Sequence, residues 1–240
     1  MHEQSNTGRG RAQLLCIFLI AGIVSDAVDL ILSFLRVAVL PDSLASGITY
    51  VGETTWYDIL KGILGLLQFV VYITTAVLFL MWIYRASKNL RHLGAYQIEF
   101  TPGWAVGWFF VPFANLVTPY RVVKEIWVKS DPKIPDAGGE PDWQKSGSTA
   151  LLGWWWAVWI LTCLANQAVL RLSTTAETTG AGFTLLKAEI IADAFGIVAG
   201  WLAFLVVRGI SKRQEERSKH YQTDALPPPP PTFAPRPQAG

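Results

Sequence analysis

Four carboxylic acids stand inside long apolar runs of this chain, where an ionised group is costly and therefore marks the first place to look for function. Asp26 and Asp29 are spaced i, i+3 in the first run, and Glu189 and Asp193 are spaced i, i+4 in the last, so each pair shares one helix face. Their settings are alike: Ile23, Val24, Ser25, Asp26, Ala27 beside Ile190, Ile191, Ala192, Asp193, Ala194. Crowded carboxylates at low dielectric exchange protons and attract small cations, which is the chemistry of a proton or cation path. The alternatives are a neutralised structural network and acids facing a water-filled crevice. Arg36 is two turns from Asp29, Lys187 adjoins Glu189, and Arg171 and Lys61 stand near the outer ends of their runs. Asp26, Asp29, Arg36, Lys187, Glu189 and Asp193 form the candidate polar network.

Other chemistries lack their residues. His2, His92 and His220 lie outside the apolar runs, so two intramembrane imidazoles cannot hold a haem. No Ser-His-Asp order, HExxH, P-loop or dinucleotide fingerprint occurs. Cys16 and Cys163 both fall inside apolar runs and read as packing residues. No catalytic residue, cofactor or metal is expected, and the chain does not read as an enzyme.

The acids are carried by four stretches, about 12–35, 62–84, 150–170 and 183–207, each supplying the ~20 apolar residues that cross a hydrocarbon core of about 30 Å. With 51% apolar and 16% charged residues, the 240-residue chain reads as one all-α polytopic membrane domain, 12–219. An N-terminal tail, 1–11, and a disordered tail, 220–240, flank it. A net charge of +2, with its cations beside the spans, gives no nucleic-acid stripe.

Lys and Arg orient the spans. Connections 41–57 and 173–184 hold none. The middle connection carries Arg85, Lys88, Arg91, Arg121, Lys124, Lys129, Lys133 and Lys145; Arg9 and Arg11 precede the first span, and Arg208, Lys212, Arg213, Arg217 and Lys219 follow the last. Both termini and the middle connection therefore belong on the cytoplasmic side. The first run passes Asp26 without a small-x-small cleavage site and reads as a retained span rather than a signal peptide. Trp82, Tyr84, Trp154, Trp155, Trp156 and Trp159 mark one water boundary, Trp56 and Tyr57 the other.

Residues 102–120 are apolar but interrupted by Pro112 and Pro119, which remove amide donors and clash with a helix interior. A fifth crossing there would turn the basic C-terminal end outward, so 102–128 is read as a re-entrant or interfacial cytoplasmic segment. Whether 102–120 cross stays open. Arg121 to Trp127 alternate apolar and charged faces, as an interfacial helix requires. Residues 131–148, with Pro, Gly and mixed charge, read as a flexible loop.

The order Trp82, Tyr84-Arg85-Ala86, Asn89, Leu93-Gly94, Pro102-Gly103-Trp104-Ala105-Val106-Gly107-Trp108, Val111-Pro112, Asn115-Leu116, Pro119, Glu125-Ile126-Trp127 and Ser130 resembles a bacterial membrane family catalogued as domain of unknown function 4328. The likeness is dense over 82–130 and continues more weakly through the Trp cluster at 154 and through Ser211, Arg213, Gln214 and Arg217. It implies a multi-pass bacterial membrane protein with no established activity; the inner membrane is the expected location. Trp82, Arg85, Asn89, Pro102, Trp104, Trp108, Pro112, Asn115, Pro119, Glu125 and Trp127 are its candidate motif residues.

Asn89, Asn115, Asn166 and Gln167 are candidates for bonds across helices, and Gly62 with Gly65, or Gly196 with Gly200, for close helix approach. A homo-oligomer is left open on the same ground. Pro227 to Pro231, Pro235 and Pro237 favour an extended polyproline tail, a docking segment for a cytoplasmic partner. The bilayer is the other partner. The leading functional expectation is a non-catalytic scaffold or regulatory protein; the alternative is a small transporter or ion-conducting protein using the intramembrane carboxylates.

Overall fold

A computed structural model describes residues 2–45, 56–95, 97–132, 149–174 and 179–224. Among these residues the chain is all-helical: α1 (His2–Ala45), α2 (Trp56–His92), α3 (Pro102–Gly107), a 3₁₀ turn (Ala114–Leu116), α4 (Thr118–Lys129), α5 (Ala150–Ser173) and α6 (Thr179–Asp224). Most of the loop expected at 131–148, the proline-rich run, most of the connection 41–57 and residues 175–178 of the connection 173–184 lie outside the described residues, as do the side chains of Trp56 and Tyr57.

Among the described residues, three helices are long and apolar enough to cross a membrane: Gly10–Arg36 within α1, Ile59–His92 within α2, and Thr184–Lys219 within α6. The fourth, α5, is 24 residues long, but Trp154, Trp155, Trp156, Trp159, Asn166 and Gln167 dilute its aliphatic content. The helices outrun the expected spans. Residues 2–11 and 220–224, assigned to tails, continue α1 and α6, because backbone hydrogen bonding propagates through polar sequence once a packed helix has nucleated.

α1 lies between α2 and α6. Gln68 of α2 reaches Asp26 of α1, Gly22 of α1 faces Val71 of α2, and Gly196 and Gly200 of α6 face Asp26 and Ile23. A Cβ on Gly196 or Gly200 would stand 2.5 Å and 2.8 Å from those side chains, so the absent side chains permit this approach. Gly62 and Gly65 have nothing within 4 Å and face open surface. α2 and α6 run parallel: Lys61 meets Glu189 at one end and Ala86 meets Gln214 at the other.

The densest packing sits at the end that carries α4. Leu15 and Leu19, Trp82, Ile83, Ala86 and Leu90, Val122, Val123, Ile126 and Trp127, Leu152 and Trp155, and Val206, Val207 and Ile210 form one buried cluster from five helices. Chain reversals there follow from local sequence. Leu93-Gly94 ends α2 in a Schellman motif: Ala95 N–H donates to Leu90 O at 2.9 Å, Gly94 N–H donates to Arg91 O at 3.3 Å, and Gly94 takes φ 72°. Thr101 caps α3, its hydroxyl accepting from Trp104 N, with Pro102 in the first turn.

α3 is only 6 residues long. Pro112 and a positive φ of 63° at Phe113 separate it from the 3₁₀ turn, so no continuous helix occupies 102–120. Pro119, buried in the first turn of α4, then starts the amphipathic helix expected from the sequence.

Candidate functional site

The four span carboxylates do not stand as two isolated pairs. Lys61 of α2 places its ammonium 2.8 Å from Asp29 Oδ1 and 3.2 Å from Glu189 Oε2, tying α1 to α6. The same Nζ donates to Ser33 Oγ at 3.3 Å. Asp26 Oδ1 accepts from Gln68 Nε2 at 2.5 Å. Asp193 Oδ2 is buried and has no hydrogen-bond partner among the described residues. Three helices thus build one ladder of polar groups along the seam they share.

Helical spacing makes this ladder. Asp26, Asp29 and Ser33 recur at i, i+3 and i+7 on α1; Lys61 and Gln68 stand two turns apart on α2; Glu189, Asp193 and Gly196 recur at i, i+4 and i+7 on α6. Along α2 the ladder is remote from the α4 end: Gln68 is roughly 20 Å from Trp82 and Lys61 roughly 30 Å, at ~1.5 Å per residue.

Arg36 is half-buried near the C-terminal end of α1, and Lys187 is exposed on α6. Lys61 contacts an acid on each of α1 and α6. Sequence reasoning placed Lys61 only near an outer end and did not single out Gln68. Gln68 had a signal: it is the lone Asn, Gln or charged residue within 62–84.

At the opposite end the motif residues converge. Glu125 of α4 accepts from the backbone N–H groups of Glu99, at 2.6 Å, and Phe100, at 3.2 Å, and its carboxylate binds Lys129 at 2.8 Å. Lys129 also donates to the Gln97 carbonyl, where Gln97 has φ 52°. One carboxylate thereby holds the turn between α2 and α3 against α4. Asn89 Nδ2 donates to Gln214 Oε1 at 3.3 Å, and Gln214 Nε2 donates to Ala86 O and Ser130 Oγ at 3.0 and 3.2 Å.

Arg213 lies over Trp127, 4.1 Å from the ring centroid, and pairs with Asp131 at 3.3 Å. Arg217, 5% exposed, donates Nε to Leu93 O and Nη1 to Asp131 O, both at 2.9 Å. Trp127 packs against Gly209, where a Cβ would stand 2.6 Å from the ring, and its indole N–H is buried without a partner among the described residues. These contacts join α2, α4 and α6 into a polar latch beside the apolar core.

The remaining motif residues shape the segment between them. Trp82 is buried against Phe79, Arg85 is half-buried, and Trp108 packs on the core beside Trp104, at 5.3 Å. Trp104 is 57% and Phe113 88% exposed. Pro112 is exposed and its carbonyl accepts from Ala114 N; Asn115 N donates to Val111 O. Trp156 of α5 donates its indole N–H to Leu116 O at 2.8 Å, pinning the 3₁₀ turn. Among the expected amides, Asn89 bonds across helices, whereas Asn166 donates to Thr162 O on its own helix and Gln167 is exposed.

Groups of three or more His, Cys, Asp or Glu arranged to hold a metal ion do not occur among the described residues. The acid ladder is instead an ionic site with a tethered ammonium at its head.

A family model described as Domain of unknown function (DUF4328) matches residues 52–212. The match takes in Lys61, Gln68, Glu189, Asp193 and the motif around α3 and α4; Asp26, Asp29 and Arg217 fall outside it. No curated protein and no solved structure matches the chain.

Proposed function

The chain belongs to the DUF4328 family, and on that premise we propose that it is a four-span protein of the bacterial inner membrane, not an enzyme, that binds and passes protons or small monovalent cations. The carrying observation is the convergence of Asp29 and Glu189 on Lys61 and of Asp26 on Gln68 at the seam of three helices, with Asp193 one turn from Glu189 on the same face of α6. Ionisable groups at membrane depth are costly to insert and recur along ion and proton pathways, which supports this reading.

With Trp82 at the cytoplasmic boundary of a hydrocarbon core about 30 Å thick, Lys61 sits at the outer boundary and Gln68 with Asp26 roughly 10 Å below it. The inner half of the bundle is filled by Leu15, Leu19, Phe79, Ile83, Trp155 and Val206. This apolar packing closes the seam toward the inner end. α5 supplies the fourth span: its 24 residues extend about 36 Å, and it packs along α6. Both termini and the α3–α4 segment lie in the cytoplasm by the distribution of Lys and Arg. Trp104, Phe110 and Phe113, all exposed, lay that segment along the inner leaflet as a re-entrant or interfacial piece.

Flux tests the proposal. In proteoliposomes bearing an imposed proton, sodium or potassium gradient, the full chain is expected to dissipate at least one of them. Asp26→Asn combined with Asp193→Asn is expected to abolish that flux while inserting to the same level. Absence of wild-type flux for all three ions, or equal flux from the variant, overturns it.

A second reading, a scaffold or regulatory protein, is favoured by a separate observation. The latch at Arg213, Gln214 and Arg217 fixes α6 as one helix to Asp224, one residue before the stretch leading to the prolines. A rigid mount for an extended docking tail suits recruitment of a cytoplasmic protein. Deleting 226–240 is then expected to remove at least one co-purifying protein, and an unchanged set counts against it.

A further inference from the structure

The outward face of α2 is a continuous stripe. Val77, Met81 and Tyr84 are 51%, 44% and 45% exposed, and the next positions on that face, Lys88 and Arg91, are exposed too. α6 repeats the order: Val198 and Trp201 are 48% and 53% exposed, followed on the same face by exposed Arg208 and Lys212. On both helices an apolar stripe meets an aromatic ring and then two cations spaced one turn apart. Because α2 and α6 run parallel, both sequences of groups end at the α4 side.

The cations on these faces are weakly engaged by protein. Lys88 and Arg91 make no ion pair among the described residues, Arg208 lies over Phe204 at 5.4 Å, and Lys212 approaches Glu216 only at 3.8 Å with its side chain 78% exposed. Other arginines of the same end behave differently: Arg213 and Arg217 turn inward to Asp131 and to carbonyls. By the register that sets Lys61 against Glu189 and Ala86 against Gln214, Arg208 and Lys212 stand level with Leu80 and Tyr84, and Lys88 and Arg91 lie further toward the α4 end, so the outward cations line the emerging stripe over roughly 16 Å of helix. Their long apolar stems let each charge reach the headgroups.

We propose that this collar, Lys88 and Arg91 on α2 with Arg208 and Lys212 on α6, binds the phosphate headgroups of anionic phospholipids and holds such lipids around the inner end of the bundle. Charge complementarity and continuity with the lipid-facing stripe select this occupant over a soluble partner, which would find Tyr84 and Trp201 already embedded in the bilayer. The inference rests on the membrane-spanning reading, but not on ion passage through the carboxylates.

Energy transfer tests it. The 11 tryptophans of the intact chain serve as donors, and the acceptor is dansyl-labelled phosphatidic acid or dansyl-labelled phosphatidylcholine at low mole fraction in phosphatidylcholine nanodiscs. The anionic probe is expected to associate about fivefold more strongly than the neutral one. Lys88→Gln with Arg91→Gln, and separately Arg208→Gln with Lys212→Gln, are each expected to lower that ratio at least about twofold, and molar salt to shrink it. All four positions are exposed, so the variants retain the fold, which the unfolding midpoint checks. Equal association of the two probes with wild type, or ratios unchanged in both variants, overturns the proposal. Displacement of the anionic probe by soluble glycerol phosphate also overturns it, because the site would then bind a free anion rather than a lipid.

Discussion

Arg217→Ala is expected to lower the stability of the folded protein by about 3–5 kcal/mol. The guanidinium is 5% exposed and spans two elements, donating to Leu93 O in the reversal after α2 and to Asp131 O at the end of α4, each at 2.9 Å. Removing it leaves two interior carbonyls without these donors and opens a void between α2, α4 and α6. Arg217→Lys is expected to rescue little, since a single ammonium cannot reproduce a planar fork addressed to two carbonyls. For a chain of this length the midpoint of thermal unfolding in detergent is expected to drop by roughly 10 °C. A shift within about 2 °C for the alanine variant would contradict the assigned role of the latch.

The second large effect is expected at Lys61. Lys61→Met leaves Asp29 and Glu189 facing one another without the ammonium that bridges them, at a cost of about 2–4 kcal/mol. The figure stays below that of a fully buried pair because these side chains keep 16–25% exposure. Combining Lys61→Met with Asp29→Asn and Glu189→Gln removes the repulsion together with the cation, so most of the lost stability is expected to return. Unfolding midpoints of the single, double and triple variants measure this. If the triple variant is as unstable as Lys61→Met alone, the loss arises from packing and the ion pairs carry little energy.

These two sites answer to different physics. Around Arg217 the neighbours are backbone carbonyls at chain reversals, so the interaction rewards geometry. Around Lys61 they are carboxylates in low dielectric, so it rewards charge balance. Their separation along α2 and α6, roughly 37 Å from Lys61 to Ala86, makes the effects additive in a combined variant.

Much of this was legible in residue order. Apolar runs of spanning length gave three membrane-length helices, and Pro112 with Pro119 gave a broken segment where they stand. The carboxylate faces were legible because i, i+3 and i, i+4 spacing fixes a shared face before any packing is known. The bridge through Lys61 was not. Arg36 and Lys187 are near in sequence, whereas Lys61 is 32 residues from Asp29 and meets it only because α1 and α2 lie antiparallel. Gly62 with Gly65 and Gly196 with Gly200 look equivalent on paper, yet the second pair meets Asp26 and Ile23 and the first meets open surface.

Local order alone determined the helical class, the apolar lengths, the turn at Gly94 and the motif that marks the family, because each depends on residues within a few positions of one another. Which ammonium sits between Asp29 and Glu189, and which arginines turn inward to carbonyls while others face out, was decided by the register of α1, α2 and α6. That register is set by side chains packing between helices that are distant in sequence, and no single stretch of the chain contains it.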